Sequence, residues 1–337
     1  MYRRSRSRSG AWFPLVFALA CSGTESSSPP AQPTIEPTGW IYFQDGRNSD
    51  DPVRRVNVAT GASETLVPPP PLLPTKRFPL WPHMVSTQTG EIAAAAPAGG
   101  AFPATMIWNH ATGAVTFHDD PTVTVDNFHR WSPDGRTVAF LRRAVTLSDG
   151  RSRVIRLDPA TGRQDTVHTT PVGRSIQWFS WLGNDSLLLA VVESGRELEW
   201  YDALRLADGA SAPFFEVPDP PGGRPPSVSA DRRWIAFEVP LDSVVTPADT
   251  TVKFLRRMLR DRVSGTEIQL QLDELFSFEG NLTYEFSPDS RFLVTCPNNS
   301  VMVIRRLPSA EEVKRLEGVF CQAVVWSWGP EGPPPGR

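Results

Sequence analysis

Cysteine is scarce in this chain, three among 337 residues, and forms no C-x-x-C pair that would bind a metal or cycle a disulfide. Also missing are H-E-x-x-H, a Walker loop and a G-x-G-x-x-G after a strand pattern, so the enzyme classes that carry those motifs are disfavoured. No clustered Lys/Arg patch is present to release counterions from phosphate, which argues against a nucleic-acid partner. The short pairs Arg142-Arg143 and Arg305-Arg306 sit in apolar strand-like runs and read as solvated strand edges. Low hydrophobicity is not among the deficits: 40% apolar and 21% charged residues exclude bulk disorder.

What the chain has in plenty is turn-forming and aromatic residues. The 34 prolines, 11 tryptophans and 18 phenylalanines favour many short strands over helices. A basic start, Arg3 to Arg8, leads into the apolar run Ala11 to Ala20, too short for a bilayer core of roughly 30 Å and suited to an export signal. The run ends in Ala18-Leu19-Ala20-Cys21, followed by a polar tether from Ser22 to Pro30. This resembles the lipobox of bacterial lipoproteins, although Ala18 stands where that family prefers Leu. The resemblance implies lipidation of Cys21, and Ser22 after it implies the outer membrane; the expected location is its periplasmic side, with surface exposure the alternative. Ordinary secretory cleavage is the alternative. Without Arg3, Arg4, Arg6 and Arg8 the 34 basic residues become 30 against 37 acidic, a net charge of −7.

A repeat organises the rest. In Trp131-Ser132-Pro133-Asp134-Gly135-Arg136, proline presets the turn, aspartate bonds its own backbone and glycine accepts positive φ, so a strand must follow. The pattern recurs from Phe286, from Val228, from Trp181 and, one residue longer, from Val85; a sixth copy reads Trp328-Gly329-Pro330-Glu331-Gly332. Hairpin tips keep the same beat, with Gly61, Gly113, Gly162, Gly209 and Gly265 spaced by 52, 49, 47 and 56 residues, and Leu307 to Ala310 in the sixth place. Each unit of about 50 residues holds four short strands. The prediction is all-β: a six-bladed β-propeller of four-stranded antiparallel blades over residues 39–332, closed by pairing of the N- and C-terminal strands. A signal peptide (1–20), a disordered Ser/Pro tether (21–38) and a tail (333–337) complete the chain. W-S-P-D-G-R before an apolar strand, with D-x-x-T-G after a later one, resembles the repeat of TolB-type propellers. The α/β domain of TolB has no counterpart here, so its partnerships do not carry over.

Candidate residues follow from this frame. Two before each turn-opening residue, the innermost strands carry His83, His129, Phe179, Pro226, Tyr284 and Trp326, a ring suited either to a small molecule or metal in the channel or to packing between blades. His110, His118 and His168 fall on outer strands and read as exposed. Cys296 and Cys321 are expected to meet across a blade seam as a disulfide. Long connections on one face bring Asp45, Asp50, Asp51, Asp119 and Asp120 as rim charges and Leu72, Leu73 and Phe78 as anchors, unless they are only tolerated insertions. The acidic loop from Asp45 to Asp51 misses the spacing of a calcium loop, and Arg47 opposes a cation, so neither metal nor other cofactor is expected. The leading function is a monomeric, non-enzymatic scaffold for an envelope protein or peptide. The alternatives are a small-ligand or metal sensor, and a periplasmic lyase or hydrolase, which requires acid, base and cation converging at the channel mouth.

Overall fold

A computed structural model describes residues 35–44, 52–67, 82–97, 103–109, 111–118, 124–144, 151–193, 199–215, 226–245, 251–270, 284–298, 301–319, 323–329 and 332. The chain divides into residues 1–36 and a compact unit, Pro37–Arg337. In chain order the second unit forms β1 (Trp40–Gln44), β2 (Val53–Asn57) and β3 (Ser63–Val67); β4 (Ile92–Pro97), β5 (Pro103–Trp108) and β6 (Val115–His118); β7 (Thr124–Trp131), β8 (Val138–Ala144), β9 (Arg153–Leu157) and β10 (Gln164–Thr169). It continues with β11 (Arg174–Trp181), β12 (Ser186–Glu193), β13 (Glu199–Arg205) and β14 (Ser211–Phe215); β15 (Ser227–Val228), β16 (Trp234–Val245), β17 (Thr251–Asp261) and β18 (Glu267–Leu270); β19 (Tyr284–Phe286), β20 (Phe292–Asn298), β21 (Val301–Arg306) and β22 (Glu311–Glu317); and β23 (Val324–Ser327).

These strands make six antiparallel blades. Five are four-stranded sheets; in blade two the innermost strand shrinks to a 3-10 turn, Pro82–Met84, and one bridge, Val85 to Ile92. Blade one closes the ring, because β23 from the C-terminal end pairs with β1, Phe43 opposite Val324 and Trp40 opposite Ser327. The hairpin expected at Leu307 to Ala310 joins β21 to β22.

Strand alternation explains how the blades cohere. Along β8, Val138 and Phe140 enter the apolar cluster shared with blade two, while Ala139 and Leu141 enter the one shared with blade four. Along β12, Leu187 and Leu189 face blade three, and Leu188 and Ala190 face blade five. Each of the six buried clusters fills one seam between neighbouring blades, so successive side chains of a middle strand are all apolar.

The turns do what their residues dictate. Buried Ser132, Ser229 and Ser287 each donate from Oγ to the aspartate two residues on, at 2.6 Å, and each accepts the amide N–H that opens the next strand. Across the seams, three glycine tips abut the outer strand of the blade before them: a Cβ on Gly209 (φ +69) would lie 2.3 Å from the Val167 carbonyl oxygen, Gly162 sits against the His118 ring, and Gly61 lies near Leu316. That contact corrects one expectation. His118 and His168 are half-buried by the neighbouring tip, with His168 Nδ1 3.4 Å from the Gly209 carbonyl; His110 lies outside the described residues.

The basic pairs also differ from expectation. Arg142 is 5% exposed and Arg305 9%, so neither is a solvated edge. Arg142 lies over the Phe140 ring at 5.2 Å, and Arg305 donates to the Ala310 carbonyl. Long stems let both guanidiniums enter the seams without interrupting the apolar pattern.

Candidate functional site

The innermost strands surround the axis, neighbours in the order β23, the blade-two turn, β7, β11, β15 and β19. Trp131 pairs with Val138, Val228 with Ile235 and Phe286 with Leu293; in the closing blade the equivalent place, opposite Ile41, belongs to Trp326. Ser327 follows it as Ser132 follows Trp131, and its Oγ accepts from the Gly329 amide. The sixth copy is thus registered two residues earlier than Trp328, and Val324, not Trp326, completes the proposed ring.

That ring packs seams. Phe179, Tyr284, Val324 and Trp326 are buried in inter-blade clusters. His129 is fully buried, stacks on Phe140 at 5.0 Å, and its Nε2 lies 3.0 Å from Thr105 Oγ1 of blade two. A bulge places it there: Asn127 and Arg130 pair with Leu141 and Ala139, and Phe128 takes positive φ between them. Burial, then the Arg142 guanidinium, lower the His129 imidazole to about 3. His83, half-buried on the blade-two turn, is also held neutral, by burial, Arg130 and His129.

Residues one step before the turn-opening position face the other way. They are Met84, Arg130, Ser180, Ser227, Glu285 and Val325, all half-buried. Arg130 is on blade three and Glu285 on blade six, opposite blades of a six-membered ring, yet each lies in the other's field. Strand alternation turns both away from the seams that hold His129 and Trp131 on one strand and Tyr284 and Phe286 on the other.

Their environments are tuned by depth. Burial lowers the Arg130 guanidinium to about 10, against the opposing pull of Glu285. Burial raises the Glu285 carboxyl to about 7, against the Arg130 field, the Phe286 amide and a hydrogen bond donated by the Ser227 hydroxyl. Arg130 Nε is buried without a hydrogen-bond partner among the described residues, as is His129 Nδ1. A cation and a carboxyl group titrating near neutrality thus converge on the axis. The sequence pattern pointed to His83 and His129 but passed over Arg130, Ser227 and Glu285; strand alternation, carried one residue further, would have found them.

Other expectations fall elsewhere. Cys296 is disulfide-bonded, whereas Cys21 and Cys321 lie outside the described residues. So do Asp45, Asp50, Asp51, Leu72, Leu73, Phe78, Asp119 and Asp120. Among the described residues no three His, Cys, Asp or Glu side chains gather as for a metal, and no helix is long and apolar enough to cross a membrane.

No family model matches this sequence, and no curated protein matches it. Among solved structures the chain is similar to the nidogen/laminin complex, at 8% identity and TM-score 0.47 over 86% of this chain and 97% of that one. It is similar to an oligogalacturonate lyase in complex with manganese, at 11% and 0.43 over 82% and 84%. A third is the periplasmic gluconolactonase of Pseudomonas aeruginosa, at 14% and 0.42 over 86% and 98%. None of these likenesses carries chemistry over to this chain.

Proposed function

We propose that this chain is an exported binding protein, held at the envelope through Cys21, whose propeller axis captures a small anion. One observation carries the reading of the axis: Arg130 presents a buried Nε with no protein acceptor among the described residues, toward an opposite wall that supplies only a carboxyl group able to be neutral. Leaving a buried guanidinium donor unmet is costly, and an anion that accepts from it removes that cost. Apolar clusters fill the seams, so the axial side chains are held by packed blades. A protein or peptide partner on the long-loop face would be a separate property of residues 45–51, 68–80 and 119–123.

The anchor is tested by detergent partitioning, where the wild type should enter the detergent phase and Cys21→Ser should not; aqueous partitioning of the wild type removes the anchor from the proposal. For the axis, titration calorimetry with small carboxylates, phosphate and sulfate should find at least one binding anion. Arg130→Met should weaken it at least tenfold while leaving the melting transition cooperative. Wild-type protein that binds none of them, or a variant that binds equally well, overturns the reading.

A further inference from the structure

The six axial positions are not alike around the ring. Arg130 on β7 of blade three and Glu285 on β19 of blade six stand at opposite poles and divide it into two arcs. Ser180 and Ser227, on blades four and five, make one arc polar; Val325 and Met84, on blades one and two, make the other apolar. A ligand between the poles would meet a donor for its charge, hydroxyls along one edge and methyl or thioether surface along the other.

The surroundings also set the sign of the ligand. Arg142, Arg257 and Arg305 are buried within the blades, and Arg257 lies 3.7 Å from the buried carboxylate of Glu238. His83 and His129 are both held neutral next to Arg130. An interior that refuses a proton on two imidazoles also disfavours a ligand ammonium group.

Resting on the reading of the axis as an anion site, we infer that its ligand is a small hydroxycarboxylate taken up together with a proton, which Glu285 carries. The ligand carboxylate accepts from Arg130, its hydroxyl meets Glu285 and the serine arc, and its carbon skeleton lies on Met84 and Val325. The proton follows from electrostatics. An anion on Arg130 cancels the field that favours the Glu285 carboxylate and adds a like charge, so the carboxyl group binds a proton from solvent and donates it in a hydrogen bond. Every charged or titratable group packed about Glu285 is compatible with this. β15 brings Ser227 and β23 brings none; Arg130, His83 and His129 come from blades two and three, and Arg257, paired with Glu238, reaches the neighbouring Tyr284.

The test uses four probes of one size: 2-hydroxybutanoate, butanoate, butane-1,2-diol and 2-aminobutanoate, titrated into the full chain in buffers of different ionisation enthalpy. The hydroxy acid should bind best, with proton uptake near zero at pH 6 and approaching one at pH 8. Its affinity should fall by up to about tenfold per pH unit above pH 7. Glu285→Gln should keep the binding and lose both the uptake and that slope. Tighter binding of 2-aminobutanoate, equal binding of butanoate, or uptake unchanged in Glu285→Gln overturns this inference while leaving the anion site standing. Failure of both butanoate and 2-hydroxybutanoate to bind, with no other anion bound, instead overturns the anion site itself.

Discussion

Deleting residues 320–337 should abolish cooperative thermal unfolding, whereas deleting only 333–337 should leave it unchanged. The larger deletion removes β23, the strand that joins the two ends of the ring. With it go Val324 and Trp326, both buried in the seam between blades six and one. Trp326 packs on Phe292 with ring centroids 6.3 Å apart and donates from Nε1 to the Thr38 carbonyl, and Ser327 Oγ bonds Thr87 Oγ1 of blade two. Loss of one buried tryptophan side chain alone costs about 3–5 kcal/mol. Adding the ladder and the exposed edge of β1 brings the cost into the range of the total stability of a typical domain, about 5–15 kcal/mol. A truncated protein that melts like the full chain would refute closure by this strand.

The reach of sequence reading here has a physical explanation. Turn residues are local, so Trp-Ser-Pro-Asp-Gly and the glycine tips each announced a hairpin by themselves, and their spacing announced six blades. Register in the closing blade was not local. Trp326-Ser327-Trp328-Gly329 offers two tryptophans two residues apart, and a shift of two leaves every side chain on the same face. Only pairing with β1 separates them, by placing Trp326 opposite Ile41.

The axial charges were hidden for a different reason. Arg130 and Glu285 are 155 positions apart, each alone in an aromatic context, and neither belongs to a motif. They meet because the ring sets blade three opposite blade six. The histidines drew notice through a shared position, yet that position faces the seams. Arg142 and Arg305 misled in the reverse sense, since a charged residue in an apolar strand reads as an edge until a cavity for its guanidinium is seen.

Acid should destabilise the fold through His129 by several kcal/mol, the second large effect. Its imidazole titrates near 6.5 in the unfolded chain but only near 3 in the folded one, because burial and then Arg142 disfavour the charged form. The unfolded state therefore takes the proton first. The stabilisation is complete above pH 6.5 and drains away as pH falls toward 3, by about 1.4 kcal/mol per unit and roughly 4 kcal/mol in all. Glu285 acts in the opposite direction. Its carboxyl, raised to about 7, stabilises the folded state most below about pH 4.5, and that contribution is lost as pH rises through 7. Between pH 7 and 4.5 Glu285 offsets one of the two depressed imidazoles, His129 and His83, so the wild type should decline less steeply there than below. Chemical denaturation of Glu285→Gln removes the compensation and should expose a decline that begins near pH 6.5. Adding His129→Gln, which retains a polar partner for Thr105 and cannot titrate, should make that decline shallower, the remainder coming from His83, also held below its ordinary value, and from the surface carboxylates. Parallel profiles for Glu285→Gln with and without His129→Gln would show that the buried imidazole contributes nothing to acid sensitivity.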